Sequence, residues 1–118
     1  MISMREAYEK IGADYDGASV RLTGEEMLAR FALKFLDDES MDKLEAAMAA
    51  GDAESAFMAV HTLKGVSQNL GFDNLYEPAV VVTEALRNAD TVDGARDGMH
   101  ALRQQYAATM SALREAAE

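Results

Sequence analysis

The chain has 118 residues, 49% of them apolar and 27% charged, which fits one compact domain over residues 1–118 and leaves no room for a second. Eleven Lys and Arg against 21 Asp and Glu give a formal net charge of -10, spread along the chain, and such a surface repels nucleic-acid backbones and acidic membranes. Cysteine is absent, which excludes disulfides, thiolate metal sites and cysteine nucleophiles. With no signal peptide and no apolar stretch of about 20 residues, a cytoplasmic monomer without nucleic-acid or membrane partners is expected.

The first helix is expected at residues 3–11, ending near Gly12, and Asp14-Tyr-Asp16-Gly17 reads as a turn. Thr23-Gly-Glu-Glu26 has capping-box spacing, with Thr23 as N-cap of a helix through Leu36 whose buried stripe is Leu28, Phe31 and Phe35. Ser40 to Ala50 forms a shorter helix with Met41, Leu44, Ala47 and Met48 inward, stopped by Gly51. Asp52 caps the next helix, Ala53 to Leu70, which buries Ala56, Ala59, Val60, Leu63, Val66 and Leu70 and closes at Gly71. A helix from Asn74 to Asn88 accommodates Pro78 if its regular turns begin near the proline or bend there. Asp93 to Ala117 completes the chain, with Gly94 and Gly98 weakening its first turns.

Only one proline and scarce β-branched runs leave an all-α fold. Four long antiparallel helices joined by short loops make an up-and-down four-helix bundle with an additional short N-terminal helix.

The segment His61-Thr-Leu-Lys64-Gly65-Val-Ser-Gln68-Asn-Leu-Gly71 concentrates the chemistry. At ~100° per residue, Lys64, Gly65 and Gln68 fall on the side of His61, and Leu63, Val66 and Leu70 fall opposite. The histidine therefore faces solvent. An imidazole titrates near pH ~6.5, so at cell pH much of it is a nucleophile without help from a base. If it carried a phosphoryl group, Lys64 one turn away would supply a charge-assisted hydrogen bond and Gln68 a neutral one. Gly65 costs roughly 1 kcal/mol inside a helix, and its missing Cβ makes room for another protein's active site. Phe57 and Met58 flank His61 as apolar docking candidates.

These residues resemble the histidine-containing phosphotransfer (Hpt) domain, the module that relays phosphoryl groups in two-component signalling. The match is His61-x-x-Lys64-Gly65 followed by Asn69-Leu70-Gly71, inside an acidic helical bundle of the right length. The resemblance implies phosphorylation of His61 on its outer ring nitrogen, stabilisation by Lys64, and receiver access over Gly65. Gln68 stands where relatives often carry a small residue, so its role rests on geometry alone. The implied partners are a response-regulator receiver domain, which brings the aspartate and Mg²⁺, and a hybrid sensor histidine kinase. No cofactor of the chain's own is expected. Without a Gly-rich nucleotide loop or an ATP lid, no kinase activity is expected either. On the helix ending at Leu36, Met27, Arg30 and Lys34 are further docking candidates, with Phe31 assigned to the core.

Three other readings compete. A metal or haem bundle ligated by His61 and His100 requires His61 to point inward, against the projection. The acidic groups Asp37-Asp38-Glu39 and Asp14-x-Asp16 lack a calcium-loop pattern. An interaction-only bundle that binds a receiver or kinase without being phosphorylated shares the same surface and is separated by experiment.

Overall fold

The computed structural model describes residues 1–117. Among the described residues every regular element is helical: α1 (Met4–Ile11), α2 (Tyr15–Arg21), α3 (Glu25–Lys34), a 3₁₀ turn (Phe35–Asp37), α4 (Ser40–Ala50), α5 (Ala53–Asn69), α6 (Asp73–Leu86), a second 3₁₀ turn (Asp93–Ala95) and α7 (Arg96–Ala117). α4, α5, α6 and α7 follow one another around a shared core, each packed on the next. Arg103 of α7 closes the ring onto Glu45 of α4 at 2.8 Å.

The first long helix is broken. Its α-helical part ends at Lys34, and the 3₁₀ turn and an extended Asp38 (ψ 135) redirect the chain into α4. The Asp38 carboxylate accepts the Ser40 N–H at 2.9 Å, satisfying one of the free donors at the start of α4. The helix expected to run through Leu36 is therefore α3 followed by the 3₁₀ turn, and α4, expected as the shorter helix, packs extensively on α5.

The N-terminal region departs most from expectation. Ser3 and Glu6 form a true capping box at α1, whereas the one assigned to Thr23 and Glu26 does not exist. The N-cap of α3 is Gly24, and Thr23 sits at φ 63, its hydroxyl donating to the Leu22 carbonyl at 2.6 Å. A capping box needs an extended N-cap residue, and the left-handed exit from α2 removes that option. The expected turn at Asp14–Gly17 is the start of α2: Asp14 is its N-cap, accepting the Gly17 N–H at 3.0 Å. Phe31, expected in the core, is 37% exposed. Leu28, Ala32 and Phe35 are the buried line instead, and Phe31 falls beside it.

Two smaller corrections concern the later helices. Val66 is half-buried and the fully buried residue next to it is Ser67. Helix α6 begins at Asp73 and ends at Leu86, so Pro78 lies inside its second turn, and Asn88 lies beyond it at φ 56. Gly98 has a packing reason: a Cβ there would meet Val82 at 3.2 Å and Val81 at 3.4 Å, so its absence lets α7 approach α6.

The core gathers its aromatics beneath the C-terminal end of α5. Phe72 contacts Tyr8 at 5.3 Å and Phe35 at 5.4 Å between ring centroids, and Phe35 reaches Tyr106 at 6.1 Å. Tyr8, Phe35 and Phe72 are almost wholly buried. These large side chains fix that end of the helix in place.

Candidate functional site

Helix α5 is held at both ends. At its start the Asp52 carboxylate accepts from the Ser55 hydroxyl at 2.7 Å and from the Ser55 N–H at 3.1 Å, and these bonds hold its carboxyl below the usual value. At its end Gly71 takes the left-handed conformation (φ 74) and the Phe72 N–H returns to the Ser67 carbonyl at 2.9 Å. The last carbonyls are then covered from the N-terminal region. Arg21 donates to Gln68 and Asn69, Tyr8 donates to Leu70 at 2.7 Å, and the Asp14 N–H donates to Gly71 at 2.8 Å. A cation placed at the negative end of the helix dipole adds a favourable term.

Between these ends α5 buries Ala56, Ala59, Val60, Leu63 and Ser67 and turns His61 outward. His61, Gly65 and Gln68 are exposed along one ridge and Lys64 is half-buried beside them. Nothing lies within 4 Å of where a Gly65 Cβ would stand, so internal packing does not require the glycine. The expected outward cluster of His61, Lys64, Gly65 and Gln68 is thus assembled.

Its surroundings come from three helices. Met58 is 60% exposed and lines a groove between α4 and α5 with Lys43, Ala46, Ala50 and Thr62. Phe57 is half-buried, and its ring stacks on that of His61 with centroids 5.8 Å apart and planes 14° from parallel. Over the same Phe57 ring, at 5.3 Å, lies the guanidinium of Arg87, at the C-cap of α6. Arg87 is itself forked onto Glu84 at 3.0 and 3.2 Å. Arg87, and more weakly Lys64, hold the Glu84 carboxyl below its usual value. Lys64 thus lies one turn from the histidine on its own helix, and the Arg87–Glu84 pair contacts the Phe57 ring that stacks on it, in a chain whose net charge is strongly negative.

Arg87 is not visible as a site residue in the sequence, because it reaches the site from another helix. The one hint is a basic residue at a helix C-terminus, a common feature with many causes. The α3 candidates lie elsewhere: Met27 is half-buried, Arg30 and Lys34 are exposed, and Lys34 and Phe31 line a groove with Val66, Asn69 and Leu70 at the far end of α5. His100 is exposed on α7 in a different groove, with Glu45, Met48, Arg96 and Arg103. It does not join His61. Among the described residues no group of three His, Cys, Asp or Glu could hold a metal ion, and no helix is long and apolar enough to cross a membrane.

Comparison with known proteins gives one result. A family model for the Hpt domain matches residues 27–116. No curated protein and no solved structure matches the chain. The matched span covers α4 to α7 and most of α3, so the helical bundle and the ridge bearing His61 fall within it, while α1 and α2 lie outside. The chain therefore belongs to the Hpt domain family, the histidine phosphotransfer carriers of two-component signalling, which have no kinase activity of their own.

Proposed function

We propose that His61 is the phosphoryl-accepting residue of a phosphorelay intermediate, taking the group from a receiver-domain aspartate or through a hybrid kinase and passing it to another receiver. The observation that carries this reading is the pairing of an exposed His61 with the open position at Gly65, one turn along the same ridge. An internal glycine that no neighbour requires is explained by something that must come close from outside.

The chemistry follows from the groups present. The lone pair on His61 Nε2 attacks phosphorus, the acyl P–O bond of the aspartyl phosphate breaks, and the carboxylate leaves with its electron pair. The ring keeps its Nδ1 proton as a phosphoimidazolium and can release it to water. Reversing the step delivers the group to the next aspartate. Lys64 offsets the added negative charge, and Gln68, farther along the ridge, offers a neutral donor. The receiver brings the aspartate and its Mg²⁺, so the bundle's task is to present the ring. Met58 and the groove beside it serve as the docking surface in this reading, with Lys34 at the far end of α5 and Met27 and Arg30 elsewhere on α3 as further candidates.

The test is transfer from a phosphorylated receiver to the wild type and to His61→Gln, read by intact mass under non-acidic conditions. One added phosphoryl group on the wild type and none on the variant is expected. An unmodified wild type that still binds receivers would move the protein to the interaction-only reading.

A further inference from the structure

We infer that Phe57 is a positioning residue for His61, holding the imidazole plane at the angle from which its lone pair meets the incoming phosphorus, with Arg87 and Glu84 anchoring Phe57 in turn. This rests on His61 being the acceptor. An exposed histidine normally needs a hydrogen bond to one ring nitrogen to fix its orientation. His61 has none of that kind on its own helix: the side-chain hydrogen bonds of α5, from Ser55 and Thr62, go to Asp52 and to the Met58 carbonyl. What touches its ring is the Phe57 ring one turn earlier, nearly parallel at 14°.

Phe57 is fixed on its other contacts. It packs against the buried core as a half-buried residue and shares a groove with Ala53, Leu86 and Arg87. The Arg87 guanidinium is held to Glu84 by a two-bond fork and lies 5.3 Å from the Phe57 centroid, within the range of a cation–π contact. Orientation thus passes from α6 through two rings to a nitrogen that is otherwise free to turn. Phosphoryl transfer requires nucleophile, phosphorus and leaving oxygen roughly in line, so freedom of that plane lowers the rate even when a receiver is bound. Phe57 accordingly differs from Met58, whose side chain is mostly open to a partner. The docking role expected for Phe57 from sequence gives way to a positioning one.

The experiment compares the wild type, Phe57→Leu, which keeps apolar bulk without a flat ring, and Phe57→Tyr, which restores the ring; equal helicity by circular dichroism establishes that all three fold. The first readout, in the free protein, is the ring-current shift and carbon relaxation of the His61 imidazole by NMR. The second is single-turnover transfer from a phosphorylated receiver across receiver concentrations. We expect Phe57→Leu to lose the ring-current shift, to mobilise the imidazole and to slow the saturating rate roughly tenfold, with half-saturation unchanged and Phe57→Tyr restoring both readouts. A Phe57→Leu protein with wild-type His61 resonances and saturating rate overturns the inference. So does one whose half-saturation rises while the saturating rate holds, since that is the behaviour of a docking residue. A wild type that accepts no phosphoryl group from any receiver defeats the acceptor reading itself, an outcome distinct from transfer that is merely indifferent to residue 57.

Discussion

Gly65 and Gly71 lie less than two turns apart along the same helix and its exit, and they are glycines for opposite reasons. A Cβ on Gly71 would stand 2.5 Å from the Asp14 carbonyl and 2.9 Å from the Ala18 Cβ, in a backbone conformation (φ 74) that other residues rarely adopt. A Cβ on Gly65 would meet nothing within 4 Å. The fold demands the first glycine. Nothing inside the fold asks for the second, and the receiver encounter proposed above would give it a purpose.

The contacts that make Gly71 necessary belong to the N-terminal segment, so the hardest way to break the inner half of the comparison is to remove their anchor. Tyr8→Ala empties a fully buried ring site and deletes the bond to the Leu70 carbonyl, and is expected to cost ~3–5 kcal/mol in urea denaturation. The same residue sets an alkaline limit. Burial pushes the Tyr8 phenol well above its usual value of 10.0, so the folded chain keeps a proton that the unfolded chain loses. That contribution is intact below pH 10 and fades as pH rises beyond it. Tyr8→Phe should flatten the alkaline fall in stability, leaving the smaller part owed to Tyr15 and Tyr106, whose phenols burial also raises.

Gly71→Ala comes next. The left-handed backbone and the overlap with Asp14 and Ala18 together should cost about 2–4 kcal/mol, read from the same denaturation curves, with His61 still exposed and reactive toward an imidazole reagent. Gly65→Ala sharpens the contrast because its sign is reversed. Replacing a mid-helix glycine with space around it should stabilise the protein by about 0.5–1 kcal/mol, while transfer from a receiver slows. A Gly65→Ala protein that is both more stable and fully active would remove the reason given for that glycine.

The difference between these regions also explains which of them is legible in sequence. The ridge of α5 follows from a single helix's periodicity: the outward placement of His61, Gly65 and Gln68 and the inward placement of Ala56, Val60 and Leu63 require no knowledge of any other element. The clamp around Gly71 joins residues far apart in sequence, Tyr8 to Leu70 and Arg21 to Asn69, and no local pattern announces it. Helix α2 is hidden because Asp14, Asp16 and Gly17 carry turn chemistry, and here that chemistry starts a helix. Thr23 and Glu26 have the right spacing for a capping box, but spacing does not reveal φ, and Thr23 adopts a conformation in which the box cannot form. Hydrophobicity alone favours Phe31 as the inward residue of its turn, whereas the small Ala32 completes the buried stripe. Arg87 escapes a local reading for the same reason as the clamp, since it acts across helices.

The smallest expected effect lies at the other end of α5. Asp52 holds the first turn through Ser55, and those hydrogen bonds lower its carboxyl from the usual 3.8, so the folded chain keeps the anion at acidities where the unfolded chain takes up a proton. The stabilisation is therefore complete above about pH 4 and lost as pH falls through the lower folded value. Glu84 acts with the same sign through Arg87. Asp52→Asn keeps an oxygen acceptor for Ser55 without the titrating charge, so its urea midpoint should lie slightly below that of the wild type near neutral pH and converge with it in acid. If the gap held constant down to about pH 2, the cap would contribute through geometry alone. The histidine helix would then be held at its first turn independently of pH, and only its far end, through Tyr8, would loosen as protons leave.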